Sequence, residues 1–226
     1  MWSVRRKNSG FVYLTDTHIF CRNGQLSAHQ SVQPGQLFGP ALEEVLKTAQ
    51  VRRVDVWLSG SLAPALTLPE GFALLSAGAR QGVLEELAVA VLNTPTELRL
   101  DMATGVACAL STQTLQGVRA AARAARVAVS QISPLWAHAQ LTPEAGSRNA
   151  LVEWGSLTSL ERHDGRLKVQ TQRLPKPGDA TVELRRWRTA ALLAQREARL
   201  WATPPDDQTP LVLAVTDLLQ LDKGQA

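Results

Sequence analysis

The chain has 226 residues, of which 45% are hydrophobic, and its formal net charge is +4. That length can bury a sizeable core as one large domain or as two related halves. The mild charge gives weak support for a polyanionic partner, and two cysteines are too few for a disulfide framework, so we expect reduced, buried thiols.

The first third of the chain predicts a meander, a helix and a strand. The stretch "GFVYLTDTHIFCRNGQLSAHQSV" reads as two or three strands, with a tight turn at Asn23–Gly24. "GPALEEVLKTAQ" follows, in which Pro40 stands near the start of a helix and apolar residues recur at helical spacing. "RRVDVWLSG" then predicts a buried strand.

The middle third predicts a helix and hairpin, then a second helix and strand. "ALLSAGARQGVLEELAVAVLN" predicts a helix in its second half that stops before Thr94–Pro95. "TELRLDMATGVACALST" alternates as a hairpin does, "TLQGVRAAARAARV" is an amphipathic helix, and "VAVSQISPLWA" is a strand. A linker rich in Thr, Pro, Gly and Ser is expected at about residues 140–148.

The last third repeats the order of the first. The hairpin "ALVEWGSLTSLERHDGRLKVQTQRL" precedes a helix predicted over "ATVELRRWRTAALLAQREARLW" and a strand in "TPLVLAVTDLLQL". One shift along the sequence aligns "FVYLTDTHIFCRNGQL" with the stretch that ends in "ERHDGRL", so that Gly24 is aligned with Gly165. The same shift aligns "PALEEVLKTA" with "TVELRRWRTA". The strand "VDVWLSG" reaches "LVLAVTD" only with a longer shift. We therefore predict an α/β protein in which one unit is built twice.

A meander, helix and strand repeated in one chain resembles the actin-like ATPase fold. More narrowly, "VRAAARAARVAVSQISPLWA" leading into "NALVEWGSLTSLERHDGRL" resembles the actin-like pilus-assembly proteins and the cytoplasmic domain of the type II secretion L-component. The resemblance implies two ribonuclease-H-like halves, each a mixed sheet with meander hairpins and flanking helices, facing each other across a nucleotide cleft. We predict residues 1–140 as the first half, with an insertion, and residues 149–226 as the second.

The nucleotide motifs that the resemblance implies are degraded here. Phosphate loops of that fold are tight Asp-x-Gly turns whose backbone N–H groups approach the phosphate oxygens. "LTDTHIF" keeps Asp16 but places Thr17 and His18 where Gly is needed, and "LVEWGSLT" keeps Gly155 without the preceding Asp. "AVTD" replaces the expected Gly-Gly on the adenosine side. We therefore expect no catalytic residues and no cofactor.

Several polar residues have a plainer interpretation as structural residues. Asp16 is typical of a turn or surface carboxylate, and Glu153 and Thr158 are predicted to point outward from a strand. "SGSLAPA" at residues 59–65 is a loop after a strand, a pattern too common to mark a site. The four histidines fall in separate segments, so we expect no metal site; they are His18, His29, His138 and His163.

The stretch "ELRRWRTAALLAQREARLWA" is basic and aromatic. Helical spacing puts Trp187 on a stripe with Leu184, Ala191 and Ala194, so we expect Trp187 in the core and the arginines on a solvated face. No nucleic-acid-binding motif accompanies them, and we expect no nucleic acid as a partner.

Our leading hypothesis is a non-catalytic actin-like scaffold of a bacterial pilus or secretion assembly. The resemblance implies protein partners at the cytoplasmic face of the inner membrane, among them an assembly motor ATPase; a homodimer is also open. One alternative is a nucleotide-binding enzyme or sensor that uses Asp16, Thr17, Gly155 and Ser156, and another is a basic protein associated with nucleic acid. No window has the roughly 18 apolar residues of a membrane span, so we expect a cytoplasmic protein, peripheral at most to the inner membrane.

Overall fold

The computed structural model of the protein describes residues 9–23, 26–33, 38–66, 68–69, 71–92, 96–101, 106–153, 155–163, 166–174, 182, 185–186, 189, 193, 198–202 and 212–214. The chain divides into two compact units. The first unit comprises Met1–Leu58 and Gln113–Ser133, and the second comprises Ser59–Thr112 and Pro134–Ala226. These units are defined by packing, whereas the predicted halves, residues 1–140 and 149–226, follow the order of elements, so those boundaries stay a prediction.

The described strands, in chain order, are β1 Ser9–Leu14, β2 His18–Asn23, β3 Leu26–Ser31, β4 Arg53–Leu58, β5 Ala65–Leu66, β6 Thr96–Asp101, β7 Val106–Ser111, β8 Ala128–Pro134, β9 Arg148–Glu153, β10 Ser156–His163, β11 Arg166–Arg173, β12 Ala198–Ala202 and β13 Val212–Ala214. The helices are α1 Gly39–Thr48, α2 Ala77–Leu92 and α3 Thr112–Ala124. Single 3₁₀ turns lie at Phe72–Leu74, Leu135–Ala137 and Ala139–Leu141.

The first unit is built on a five-stranded sheet in the order β3-β2-β1-β4-β8. β1 pairs antiparallel with β2 and parallel with β4. Four successive residues of this strand are buried, as expected for a strand covered on both faces; they are Phe11, Val12, Tyr13 and Leu14. α1 packs against β2 and β3 and buries Leu42, Val45 and Leu46, a spacing that brings them to one helical face.

The second unit contains a five-stranded sheet in the order β11-β10-β9-β12-β13 and a three-stranded sheet in the order β5-β7-β6. β9 pairs antiparallel with β10 and parallel with β12. In the smaller sheet, β5 and β7 contact β11, and α2 packs against β6 and β7. Leu84 and Ala88 of α2 join Ala107 and Ala109 of β7 in one apolar cluster.

The two five-stranded sheets share one topology, which confirms the predicted duplication. In each sheet the first strand lies in the centre, with the second and third strands on one side and the fourth and fifth on the other. The mixed pairing is also the same, because the first strand is antiparallel to the second and parallel to the fourth. The turns at Gly24 and Gly165, which suggested the duplication, lie outside the described residues.

One predicted element ends in the wrong place. The helix expected over residues 180–201 does not reach Trp201, because Ala198–Ala202 forms β12 between β9 and β13. This strand, rather than "LVLAVTD", is the counterpart of β4. Trp187 lies outside the described residues, and the described helical residues of that stretch are exposed; they are Val182, Arg185, Arg186, Thr189 and Leu193.

Candidate functional site

The turn between β1 and β2 is closed by the side chain of its own Thr15. Thr15 Oγ1 accepts hydrogen bonds from the backbone N–H of Thr17 at 3.2 Å and of His18 at 2.8 Å. The backbone N–H of Thr15 in turn donates to the carbonyl oxygen of His18 at 2.9 Å. Thr15 is 3% exposed, so these bonds are shielded from water. The N–H groups of Thr17 and His18 are therefore already satisfied inside the hairpin.

The two residues predicted for this turn differ in environment. Asp16 is exposed, whereas Thr17 is half-buried and its Oγ1 lies 2.7 Å from His18 Nδ1 in a hydrogen bond. The carbonyl oxygen of Thr17 accepts from the N–H of Val32 at 2.7 Å, which ties the turn to the end of β3. Thr17 thus makes structural hydrogen bonds through both its main chain and its side chain.

A pair of stacked imidazoles lies beside this turn. The rings of His18 and His29 are 5.5 Å apart, centroid to centroid, and 11° from parallel. Burial lowers the pKa of His18, and the charge of His29 lowers it further. The neutral form of His18 is therefore favoured in the folded protein.

The corresponding turn of the second unit, between β9 and β10, is stabilised by a hydrogen bond to a residue outside the turn. Gly155 has a φ of +81°, a conformation that glycine adopts without strain. Glu153 Oε2 accepts hydrogen bonds from Ser156 Oγ at 3.2 Å and from the backbone N–H of Gly60 at 2.8 Å. Glu153 is 3% exposed and Ser156 is fully buried. A buried carboxylate thus connects this turn to the segment that follows β4.

That segment, residues 59–61, lies among polar side chains that are buried or, at Thr171, half-buried. Ser59 Oγ and Ser61 Oγ are 2.7 Å apart, and Thr158 Oγ1 and Thr171 Oγ1 are 3.1 Å apart. Thr171 Oγ1 also accepts from the N–H of Ala65 at 3.1 Å, and Arg173 donates to the carbonyl oxygen of Ser61 at 3.2 Å. We call these residues the polar junction; they are Ser59, Gly60, Ser61, Glu153, Ser156, Thr158 and Thr171.

Gly60 is required at the polar junction by close approach. A Cβ at this position would lie 2.7 Å from Thr158 Oγ1 and 3.0 Å from Ser156 Oγ. Such contacts are shorter than van der Waals separation, and the Thr158 side chain is itself fully buried. A larger residue would therefore require the segment or these side chains to shift, which would strain the hydrogen bond to Glu153.

The structure corrects the prediction about Glu153 and Thr158. Glu153 and Thr158 do not point outward, because both side chains are buried against the segment after β4. "SGSLAPA" begins as a loop after β4, as predicted, and Gly60, Ser61 and Ala63 in it all form hydrogen bonds with residues distant in sequence. The sequence held one usable signal, which was the Ser-Gly-Ser after a buried strand.

Asp16 and Thr17 belong to one compact unit and Gly155 and Ser156 to the other, and their assignment as a nucleotide site stays a prediction.

Among the described residues, no group of three or more His, Cys, Asp or Glu side chains is placed to hold a metal ion. None of the helices in the described part of the chain combines the length and apolar character that a membrane crossing requires. Both cysteines are buried and reduced, and burial raises the pKa of Cys108 to about 11.

The chain is similar in structure to proteins of actin-like fold along nearly its whole length. The match to a Bacteroides thetaiotaomicron protein with an actin-like ATPase fold and unknown function covers 100% of this chain and 91% of that one, at 8% identity and a TM-score of 0.56. With the cytoplasmic domain of EpsL, an inner membrane component of the Vibrio cholerae type II secretion system, it shares 13% identity over 97% of this chain and 95% of that one, with a TM-score of 0.53. A chain of the PilM–PilN type IV pilus biogenesis complex matches at 14% identity over 95% of this chain and 87% of that one, with a TM-score of 0.54.

No protein-family model matches the sequence, and no curated protein matches it. The structural matches are distant in sequence but nearly complete in coverage, and the duplicated topology agrees with them. The protein therefore has the actin-like, ribonuclease-H-like α/β fold that the sequence resemblance implied.

Proposed function

We propose that this protein is a non-catalytic actin-like scaffold of a bacterial pilus or secretion assembly, which binds partner proteins at the cytoplasmic face of the inner membrane. Two of the structurally similar proteins are an inner membrane component of a type II secretion system and a type IV pilus biogenesis complex. A fold alone does not imply a function, so the proposal depends on what the two turns can bind.

The observation that carries the proposal is the closed β1–β2 turn. A phosphate loop needs backbone N–H groups that point at the anion and have no other acceptor. Here Thr15 Oγ1 takes the N–H groups of both Thr17 and His18. A phosphate at this turn would have to displace two hydrogen bonds to the buried Thr15 side chain, and the exposed carboxylate of Asp16 would repel it unless a cation intervened.

The β9–β10 turn supports the same conclusion. Its Ser156 hydroxyl is buried and donates to Glu153, so it is engaged before any ligand arrives. Glu153 is engaged in turn by Gly60. Thr17 in the first unit and Ser156 in the second both make hydrogen bonds within the fold, which supports a scaffold that acts through its surface.

A thermal-shift titration with Mg-ATP and Mg-ADP tests the non-catalytic part of the proposal. A ligand at 100 times its Kd stabilises the folded state by about 2.7 kcal/mol. In a chain of this size that corresponds to a rise in Tm of roughly 5–10 °C. We expect no shift at millimolar nucleotide. A saturable rise would support the nucleotide-sensor alternative, and loss of that rise in Thr17→Ala and Ser156→Ala would assign the site.

The scaffold part needs a separate test, because a protein that binds no nucleotide could still have another role. A two-hybrid screen against the inner-membrane and motor-ATPase proteins of the pilus and secretion systems of the source bacterium is the direct measurement. We expect a specific signal with a cytoplasmic segment of at least one such membrane protein. A screen that yields none, with the bait shown to be folded and expressed, would refute the scaffold role.

A further inference from the structure

The smaller sheet of the second unit ends in a strand with one neighbour. β6 pairs with β7 along its full length, from Thr96 opposite Ser111 to Asp101 opposite Val106. In the part of the chain that the structure describes, no strand lies on the other side of β6. An edge strand presents backbone N–H and C=O groups that can pair with another strand.

The side chains of β6 separate into an apolar face and a charged face. Leu98 and Leu100 pack against the cluster that contains Leu84 of α2. Glu97 and Arg99 stand on the opposite face, where their side chains are 36% and 62% exposed and form an ion pair at 3.2 Å. Such pairs at the surface contribute little to stability, so both side chains can exchange partners at little cost.

We propose that β6 pairs antiparallel with β6 of a second copy of this chain, with Leu98 opposite Leu98. A two-fold axis perpendicular to the sheet keeps the apolar faces of both copies on the same side. Residues that face each other across the axis must then both have even numbers or both have odd numbers. Centred on Leu98, the register places Glu97 of each copy opposite Arg99 of the other. Two unlike charge pairs then flank a central leucine pair, and each pair stabilises the contact.

The neighbouring registers of the same symmetry do not offer this complementarity. Centring on Arg99 places the two arginines opposite each other, and centring on Glu97 does the same with the two glutamates. Like charges directly opposite each other destabilise a strand pair. The edge of the larger sheet is also unsuited to self-pairing, because β11 carries Arg166, Lys168 and Arg173 and has no acidic residue. The sequence "ELR" in β6 thus selects both the partner and the register.

The contact is small, since β6 has only six residues. Stable interfaces generally bury about 1,200–2,000 Å² in total, more than one strand pair supplies. The dimer is therefore a weak one, whose fraction rises with protein concentration and which we expect to detect at the highest concentrations that sedimentation velocity allows. Within an assembly that holds several copies together, such a contact would be strengthened by high local concentration.

Charge reversal in the full chain, followed by sedimentation velocity, tests the proposal. Glu97→Arg and Arg99→Glu each turn both cross-strand pairs into like-charge pairs, and we expect each to weaken self-association about tenfold or more. When the two variants are mixed, every 97–99 pair is again unlike, and we expect a heterodimer as strong as the wild-type dimer. The ion pair within one copy cannot produce recovery on mixing, so the mixture reports the intermolecular contact alone.

Each outcome decides the proposal. A wild-type chain that stays monomeric at the highest concentration, a single variant that associates as well as the wild type, or a mixture without heterodimer would overturn it. Both side chains are exposed, so the melting curve of each variant should match the wild type and exclude unfolding as the cause. Oxidation of a mixture of the Glu97→Cys and Arg99→Cys variants then checks the register of the strand pair. A disulfide should form between the two variants and in neither one alone, because only facing positions bring the Cα atoms within reach.

Discussion

The turns that follow the first strands of the two large sheets occupy the same topological position and are stabilised in different ways. The β1–β2 turn is closed internally, with Thr15 as acceptor for two of its own N–H groups. The β9–β10 turn is held externally, because Glu153 bonds to Gly60, 93 residues away in sequence. The duplicated topology is therefore stabilised by different hydrogen bonds at this position in the two units.

This difference shows where each turn depends on the rest of its unit. The first turn depends on residues of its own three-stranded meander, from Thr15 to Val32, so a change there should act within that meander. The second turn is part of the polar junction, where a serine, a glutamate and two threonines contact the segment after β4. Changes at the polar junction should consequently affect the whole second unit.

The largest effect is expected from Gly60→Ala. The new Cβ would lie within 3.0 Å of three atoms of the polar junction and would displace the backbone N–H from Glu153. Overpacking of this kind costs about 3 kcal/mol of unfolding free energy, which denaturant unfolding would measure. Gly82→Ala is the matched control, since a Cβ there meets open space within α2 and should stabilise the protein by about 0.5–1 kcal/mol. Equal effects of the two substitutions would contradict the close approach at Gly60.

The two cysteines allow the same variant to be examined unit by unit. Cys21 lies in the first unit and Cys108 in the second, and both are buried. Thiol labelling in native buffer should be slow at both, since it requires opening, and the high pKa of Cys108 slows it further. We expect Gly60→Ala to accelerate labelling of Cys108 more than that of Cys21. Equal acceleration would show that the two units open together.

Glu153→Ala should have the next largest effect. It leaves the Gly60 N–H and the Ser156 hydroxyl buried without this acceptor, at a cost of about 2 kcal/mol of unfolding free energy. Glu144→Ala serves as the control, because that side chain is exposed and should change stability by less than about 0.5 kcal/mol. A neutral Glu153→Ala in thermal unfolding would mean that water or relaxation replaces the carboxylate.

Thr15→Val should cost somewhat less, about 1–2 kcal/mol, because it removes the acceptor of two N–H groups while preserving the shape of the side chain. Thr15→Ser keeps the oxygen and should recover most of the stability. Hydrogen exchange of the Thr17 and His18 amides would show whether the change is confined to the turn. Equal destabilisation by both substitutions would mean that loss of the methyl group costs as much as loss of the hydroxyl, and would contradict a leading role for the two hydrogen bonds.

The smallest effect concerns pH and the first turn alone. Because the pKa of His18 is lowered below 6.5 in the fold, the unfolded chain binds this proton more readily. The contribution of His18 to stability is therefore complete above about pH 6.5 and declines as the pH falls toward the lower folded pKa. We expect a small drop in Tm as the pH falls through this range. His29→Gln should reduce the drop, and an unchanged drop would rule out His29 as a cause.

The sequence predicted the order of elements well because most signals were local. Pro40 and the spacing of Leu42 and Val45 located α1, and alternation located the hairpin of β6 and β7. It misassigned Ala198–Ala202, whose alanine and arginine favour a helix. Pairing with β9 and β13 on both sides, together with burial of Leu200, overrides that preference.

The candidate site was harder to predict than the fold. Asp16, Thr17, Gly155 and Ser156 were selected by their positions in turns, and those turns exist. The role of Glu153 was missed because alternation indicates which face of a strand a residue occupies but not what covers that face. Here the covering segment comes from residues 59–66, far away in the chain.

The sequence by itself determined the duplicated α/β order, the absence of a disulfide framework and the loss of the Asp-x-Gly turns, because each depends on residue type and short spacing. Only the tertiary structure decided that Glu153 is buried, that a Cβ at Gly60 would meet Thr158 and Ser156 at close range, and that β6 lies at the edge of its sheet among the described strands. These three features depend on contacts between residues far apart in sequence, and no local pattern encodes which distant segment will be adjacent.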